Sequence, residues 1–133
     1  MKPDKKILSK ISNFLSDKVV FAYLFGSVNT KYFTQNSDID IAVWIDSKTI
    51  KQEYIQDLKL QIEKNINFAY EIDLVILNNA DFIISKQIAD TGKIIVNNDN
   101  KMFYDFILRT DCDYFDFKIW RKPLEENLIK KVL

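Results

Sequence analysis

The most informative absence in this chain is histidine, because none of its 133 residues is His. This excludes histidine-based catalytic triads, histidine proton shuttles and His-ligated zinc. Cysteine occurs once, at Cys112, so an internal disulfide and a multi-cysteine zinc cluster are excluded as well. Any catalysis should therefore rest on carboxylates and a hard metal ion, and the cysteine usage favours a reducing, cytoplasmic compartment.

Long apolar runs and net charge are also lacking. The longest apolar run, residues 19–25, is far shorter than the about 20 residues that span a bilayer. The first residues carry lysines without the apolar segment of a signal peptide, so none is predicted. Lys plus Arg and Asp plus Glu number 19 each, which disfavours broad binding of nucleic acid. We expect a cytoplasmic protein without membrane association or stable nucleic-acid binding.

The residues that are present describe an ordinary globular domain, with 47% hydrophobic and 29% charged residues. Hydrophobic periodicity predicts the order α-β-β-α-β-α-β-α and hence a single α/β domain, residues 1–133, with helices packed on a mixed sheet. The predicted strands are residues 19–25, 38–45, 68–77 and 93–97. The first of them is apolar throughout, as in a strand buried on both faces.

Several residues mark the predicted helix ends. Thr49 and Gln52 form a plausible capping box, Asn78 and Asn79 can cap the helix over residues 80–90, and Gly92 ends it. The C-terminal part, residues 101–133, is predicted to be helical with interruptions near residues 111–113 and at Pro123.

Two aspartates open the second predicted strand. Asp38 and Asp40 are separated by one residue, so they project to the same side of the strand, a few ångströms apart. Such carboxylates raise each other's pKa unless a cation lies between them, and all-oxygen ligation suits Mg²⁺ or Mn²⁺. A solvated strand entrance, with Asp38 as a turn residue, is the alternative for this motif taken alone.

Gly26 and Ser27 directly follow the buried first strand. Glycine lets the backbone approach a ligand closely, and exposed N–H groups with a serine hydroxyl suit a phosphate. A strand-ending glycine followed by a serine N-cap is the structural alternative.

The third predicted strand carries Asp73 among apolar residues, where an unpaired carboxylate is costly. If this strand lies beside the Asp38–Asp40 strand, Asp73 completes a cluster of three carboxylates. Alternatively, Asp73 pairs with a lysine or caps a loop. Glu71 lies on the same face two residues earlier and is a second-ranked ligand candidate.

Together these residues form the pattern G-S-x10-D-x-D…D, in which the chain resembles the DNA polymerase β-like nucleotidyltransferase superfamily. Its short length and single domain resemble the minimal nucleotidyltransferases, the MNT or MntA antitoxins that pair with HEPN ribonuclease toxins. The resemblance covers residues 19–77 (the catalytic core) and, more loosely, the C-terminal sequence YFDF at residues 114–117.

The resemblance implies a function and a role for each matching residue. Gly26 and Ser27 would hold the triphosphate of ATP, Asp38 and Asp40 would bind two Mg²⁺ ions, and Asp73 would bind one of these ions and help deprotonate the acceptor. The implied activity is transfer of AMP to a tyrosine of a HEPN toxin, which neutralises the toxin. The alternatives are a small-molecule nucleotidyltransferase of the aminoglycoside-modifying kind and a non-catalytic antitoxin that acts by occlusion.

Two further segments bear on these alternatives. Many relatives read GSRARG after the first strand, whereas this chain reads GSVNTK, with Lys31 as the remaining cation. The C-terminal segment is rich in large apolar residues that could form a partner surface or pack as an ordinary core helix: Tyr114, Phe115, Phe117, Ile119 and Trp120.

Overall fold

The computed structural model describes residues 4–46 and 50–132, with side chains through residue 128. The predicted order of elements is confirmed. They are α1 (Lys5–Leu15), β1 (Phe21–Phe25), a 3₁₀ turn (Gly26–Asn29), β2 (Ile39–Trp44), α2 (Gln52–Asn65), β3 (Ile72–Ile76), a second 3₁₀ turn (Leu77–Asn79), α3 (Phe82–Thr91), β4 (Lys93–Asn97) and α4 (Asn100–Val132).

The four strands form one mixed sheet in the order β3-β2-β1-β4. Strand β1 pairs antiparallel with β2 and with β4, whereas β2 and β3 run parallel. Strand β1 is therefore internal and buried, as its apolar sequence predicts. This topology brings the end of β1 and the beginnings of β2 and β3 to the same edge of the sheet.

Each face of the sheet carries its own core, because side chains alternate along a strand. The face covered by α1 and α2 buries Ile11, Leu15, Ile39, Ile41, Val43, Leu58 and Ile62. The face covered by α3 and α4 buries Phe21, Tyr23, Ala42, Ile88 and Phe106. The predicted alternation of β2 is confirmed, so Asp40 lies on the α3/α4 face.

The third strand begins later than predicted, at Ile72 instead of residue 68. Asn67 and Phe68 have positive φ angles of 53° and 56°, so they form a left-handed turn that ends α2. Phe68 resembles a strand residue in the sequence. In the structure it belongs to the turn in which the chain reverses direction after α2.

The N-cap assignments need correction. Asp81, not Asn78 or Asn79, caps α3, accepting a hydrogen bond from the Ile84 N–H at 2.8 Å. Thr49 lies outside the described residues, and α2 begins at Gln52 with Lys51 in the N-cap position and no side-chain cap.

Asn78 has a different role, which the sequence did not suggest. Its amide oxygen accepts from the Ile45 N–H at 2.9 Å and its amide nitrogen donates to the Ile45 carbonyl at 2.8 Å. This side chain therefore joins the ends of β2 and β3. The prediction that Gly92 ends α3 is confirmed.

Helix α4 is continuous over 33 residues, so both predicted interruptions are wrong. Where the first was expected, Lys86 of α3 donates to the Asp111 carboxylate at 2.8 Å and lies 5.7 Å from the Tyr114 ring centroid. These contacts hold the helix against α3. Pro123 removes one backbone hydrogen bond without ending the helix. In the described part of the chain, no helix is long and apolar enough to cross a membrane.

The C-terminal apolar segment is not an ordinary core helix. Phe115, Ile119 and Trp120 are mostly exposed, whereas Tyr114 and Phe117 are half-buried. The rings of Phe117 and Phe82 of α3 are 5.2 Å apart. The core-packing alternative therefore holds only for the side of α4 that faces α3.

Candidate functional site

The site lies at the sheet edge where β1 ends. Gly26 has a φ angle of +74°, a left-handed conformation that favours glycine. A Cβ atom at this position would overlap Oδ2 of Asp40. The absence of a side chain at Gly26 thus lets the turn after β1 lie directly against the carboxyl group of β2.

Asp40 and Asp73 are neighbours across the parallel strands β2 and β3. Their carboxyl groups lie close enough for a hydrogen bond when one of them is protonated. Burial, the charge of Asp73, this hydrogen bond and the charge of Asp38 together raise the pKa of Asp40 to about 6.

Of the three predicted carboxylates, Asp40 and Asp73 are therefore the two that the structure brings together across neighbouring strands. Asp38 is exposed, immediately precedes β2, and acts on Asp40 through its charge. Within the described ranges, no three metal-binding side chains converge closely enough to hold an ion as they stand. Asp73, rather than Glu71, is the residue whose carboxyl group lies beside that of Asp40.

The donors present fit a hard divalent cation. Carboxylate oxygens are the ligands that Mg²⁺ prefers, and two neighbouring carboxyl groups can bind such a cation between them. Because Gly26 presents backbone alone to Asp40, no side chain at that position occupies the space beside the pair.

The turn after Gly26 is held in place by its own polar groups. The Ser27 carbonyl accepts from both the N–H and the hydroxyl of Thr30, each at 2.9 Å. The Asn29 side chain donates to the Leu24 carbonyl at 2.9 Å, which ties the turn back to β1. Asn29 is not among the predicted site residues; an asparagine in a turn after a strand is the signal that the sequence offers for it.

The difference between GSVNTK and GSRARG has a structural explanation at Val28. This side chain is buried in the core on the α1/α2 face, on the other side of the sheet from Asp40. A charge at this position would have to be desolvated. Lys31 is exposed, and its ammonium lies 5.5 Å from the Tyr32 ring centroid.

The chain is similar to known proteins in both sequence and fold. The family model described as polymerase beta, nucleotidyltransferase matches residues 6–101. A comparison with curated proteins finds no match.

Among solved structures, a toxin–antitoxin complex with AMP-PNP contains a similar chain, with 26% identity, a TM-score of 0.74 and coverage of 92% of this chain and 98% of that one. Two others share the fold. One is in an MntA–HepT toxin–antitoxin structure (24% identity, TM-score 0.70, coverage 95% and 99%). The other is in a structure of a tri-AMPylated Shewanella oneidensis HEPN toxin in complex with an MNT antitoxin (23% identity, TM-score 0.71, coverage 94% and 98%).

Proposed function

The chain belongs to the polymerase beta nucleotidyltransferase family, and we propose that it transfers AMP from ATP to a tyrosine of a HEPN toxin, which neutralises the toxin. The observation that carries the proposal is the Asp40–Asp73 carboxyl pair on neighbouring strands, next to the side-chain-free turn at Gly26. The likeness to a chain from a toxin–antitoxin complex with AMP-PNP supports ATP as the co-substrate and a toxin as the partner.

Each element of the site has a role in the proposal. The N–H groups of the turn at Gly26 and Ser27 would bind the triphosphate. Asp38 and Asp40 would hold Mg²⁺ at the nucleotide, and Asp40 with Asp73 would hold a second Mg²⁺ at the acceptor. Two such ions neutralise phosphate charge and lower the pKa of the acceptor hydroxyl.

The reaction needs no histidine. The tyrosine oxygen bonds to the α-phosphorus of ATP, and the bond from that phosphorus to the oxygen bridging to the β-phosphate breaks, releasing pyrophosphate. The proton of the tyrosine hydroxyl passes to a carboxylate oxygen of Asp73. Because Asp73 is exposed, it can return the proton to water.

The test uses the purified chain, ATP, Mg²⁺ and a HEPN toxin, sought first among the proteins that the neighbouring genes encode. We expect the intact mass of the toxin to rise by one or more AMP groups and its ribonuclease activity to fall. Asp73→Asn, which keeps the size of the side chain, should lower the rate by at least about 100-fold.

The same assay separates the alternatives. If the toxin gains no mass and an Asp38→Ala/Asp40→Ala variant inhibits it as well as the wild type, inhibition is by occlusion. Labelling of an aminoglycoside in place of the toxin would favour small-molecule transfer.

A further inference from the structure

A cavity of about 240 Å³ lies at the far end of β2 from the aspartates, between α3 and α4. Its lining includes Trp44, Leu77, Phe82 and Phe106. A shallower recess continues from it along α4, lined by Phe82, Asp113, Asp116, Phe117 and Trp120. The cavity and the recess adjoin each other, because both are lined by Phe82 and Asp113. Together they are called the α3–α4 groove.

The apolar stripe of α4 continues past the part of the helix that packs on the sheet and on α3. Phe106 is buried against the sheet and Phe117 contacts Phe82 of α3. At helical spacing the same stripe continues through residues that are 67%, 49% and 62% exposed: Trp120, Leu124 and Leu128. An apolar stripe that is covered along half of its length and exposed along the rest is typical of a protein-binding helix.

The rim of the groove is acidic. Asp105, Asp113 and Asp116 line it, and Arg109 is the one cation among the described lining residues. None of the three aspartates makes an ion pair or a side-chain hydrogen bond with another residue in the described ranges. The nearby Asp111, in contrast, is paired with Lys86. The rim therefore has carboxylates available for a partner's cations.

We infer that the α3–α4 groove docks the toxin through a surface where apolar side chains are flanked by lysine or arginine. This inference rests on the proposed function, which supplies a ribonuclease as partner. A ribonuclease carries basic residues for RNA phosphates, and an acidic groove with an aromatic floor complements such a surface. Docking there would also compete with RNA for those residues.

The position of the groove is compatible with transfer. Asp40 and Trp44 lie on the same face of the sheet, four residues apart on β2, which is roughly 13 Å. A toxin held in the groove would have part of its surface near the carboxylates without covering them.

The test is a binding titration of the full chain with the HEPN toxin that is used in the transfer assay, without ATP or Mg²⁺, so that transfer plays no part. We expect Trp120→Glu to weaken the Kd at least tenfold. The matched control is Ile119→Glu, an exposed apolar residue about 160° around the helix from Phe117. It should change the Kd less than threefold. Thermal melts should show both variants folded, and Trp120→Ala provides a milder variant.

A charge test is independent of the apolar one. Asp113→Lys/Asp116→Lys should weaken binding at least tenfold at low salt and flatten its salt dependence. The control Glu126→Lys, about 180° from Phe117, should have little effect.

The outcomes separate this inference from the proposed function. Unchanged binding by both groove variants, or failure of the wild type to bind, overturns the docking surface, whatever the transfer assay shows. Normal wild-type binding that the groove variants weaken, without AMP transfer, supports the docking surface and rejects the enzymatic proposal. If Trp120→Glu instead converts a dimer of this chain to a monomer in light scattering, the groove is covered by a second copy and the inference is wrong.

Discussion

At the scale of single residues, the site depends on one contact, that between the Gly26 backbone and the Asp40 carboxyl group. This contact connects the turn proposed to bind phosphate to the carboxylate proposed to bind metal. Neither Gly26 nor Asp40 has a distinctive meaning alone, since glycines often end strands and aspartates often begin them. Their roles follow from the antiparallel pairing that puts Asp40 opposite Phe25, the residue before Gly26.

The raised pKa of Asp40 should make the proposed Mg²⁺ binding pH-dependent. Its value of about 6, above the usual 3.8, means that protons compete with the metal below pH 6. We expect Mg²⁺ affinity to fall up to about tenfold per pH unit below 6 and to level off above it. Calorimetric titration from pH 5 to 8 measures this, and a flat profile would contradict it.

Asp40→Asn is the control, and it also has a stability signature. Because the folded-state pKa is raised, protonation of Asp40 favours the folded state. Metal-free wild type therefore gains stability as the pH falls through 6 and pays an ionisation cost above it. At pH 8 the variant should be more stable than the wild type by about 1 kcal/mol, a value reduced for partial solvent exposure. At pH 4, where Asp40 of the wild type is protonated, the variant should have no stability advantage over it.

Gly26→Ala should disrupt both stability and catalysis. The new Cβ would overlap Asp40 Oδ2, and alanine is strained at a φ of +74°. We expect a loss of about 1–3 kcal/mol in the free energy of unfolding and at least about 100-fold in transfer rate. In Gly26→Ala/Asp40→Ala the overlap is relieved, so part of the stability should return while transfer stays absent. Chemical denaturation and the mass assay check the two halves.

At the scale of elements, the connections between strands and helices determine where side chains are placed. The two strands that carry the carboxylates are joined at their far ends by Asn78, whose side chain bonds the Ile45 backbone twice. The sequence predicts a helix cap at this asparagine, because asparagine favours helix caps generally. The actual cap is supplied by Asp81, and only the neighbouring strand provides Asn78 with its partner.

Asn78→Ala should therefore cost stability although it lies outside any long helix or strand. It leaves the part-buried Ile45 N–H and carbonyl without their partners, which should lower the free energy of unfolding by about 2 kcal/mol. Asn79→Ala, at an exposed neighbouring position, is the matched control and should change stability by less than about 0.5 kcal/mol. Equal effects of the two substitutions in urea denaturation would contradict the assigned role.

At the scale of the whole molecule, α4 has one half that packs on the core and one half that is exposed. Its first half closes the core on the α3/α4 face through Phe106, whose ring lies 5.3 Å from that of Phe21 and 5.9 Å from that of Trp44. Its second half carries exposed apolar residues. The break predicted near residues 111–113 does not occur, and at that point Asp111 and Tyr114 contact Lys86 of α3, which lies 25 positions before Asp111. The helix also continues through Pro123.

Phe106→Ala should test how far α4 stabilises the whole domain. Removing a buried aromatic ring from this core should cost about 3–5 kcal/mol and lower the thermal midpoint of the entire chain in one transition. Phe115→Ala, on the same helix but 62% exposed, should have an effect of less than about 1 kcal/mol. If the Phe106 variant melts in two steps, α4 and the sheet do not form one cooperative unit.

The sequence by itself determined the order of the elements, the alternation of β2 and the candidate carboxylates, because hydrophobic periodicity and residue chemistry are local properties. It also excluded histidine chemistry. Only the tertiary structure decided that Asp73 rather than Glu71 meets Asp40, that Val28 points into the core, and that α4 runs unbroken past the body. Strand register, side-chain burial and contacts between distant helices depend on residues far apart in the chain, and no local pattern specifies them.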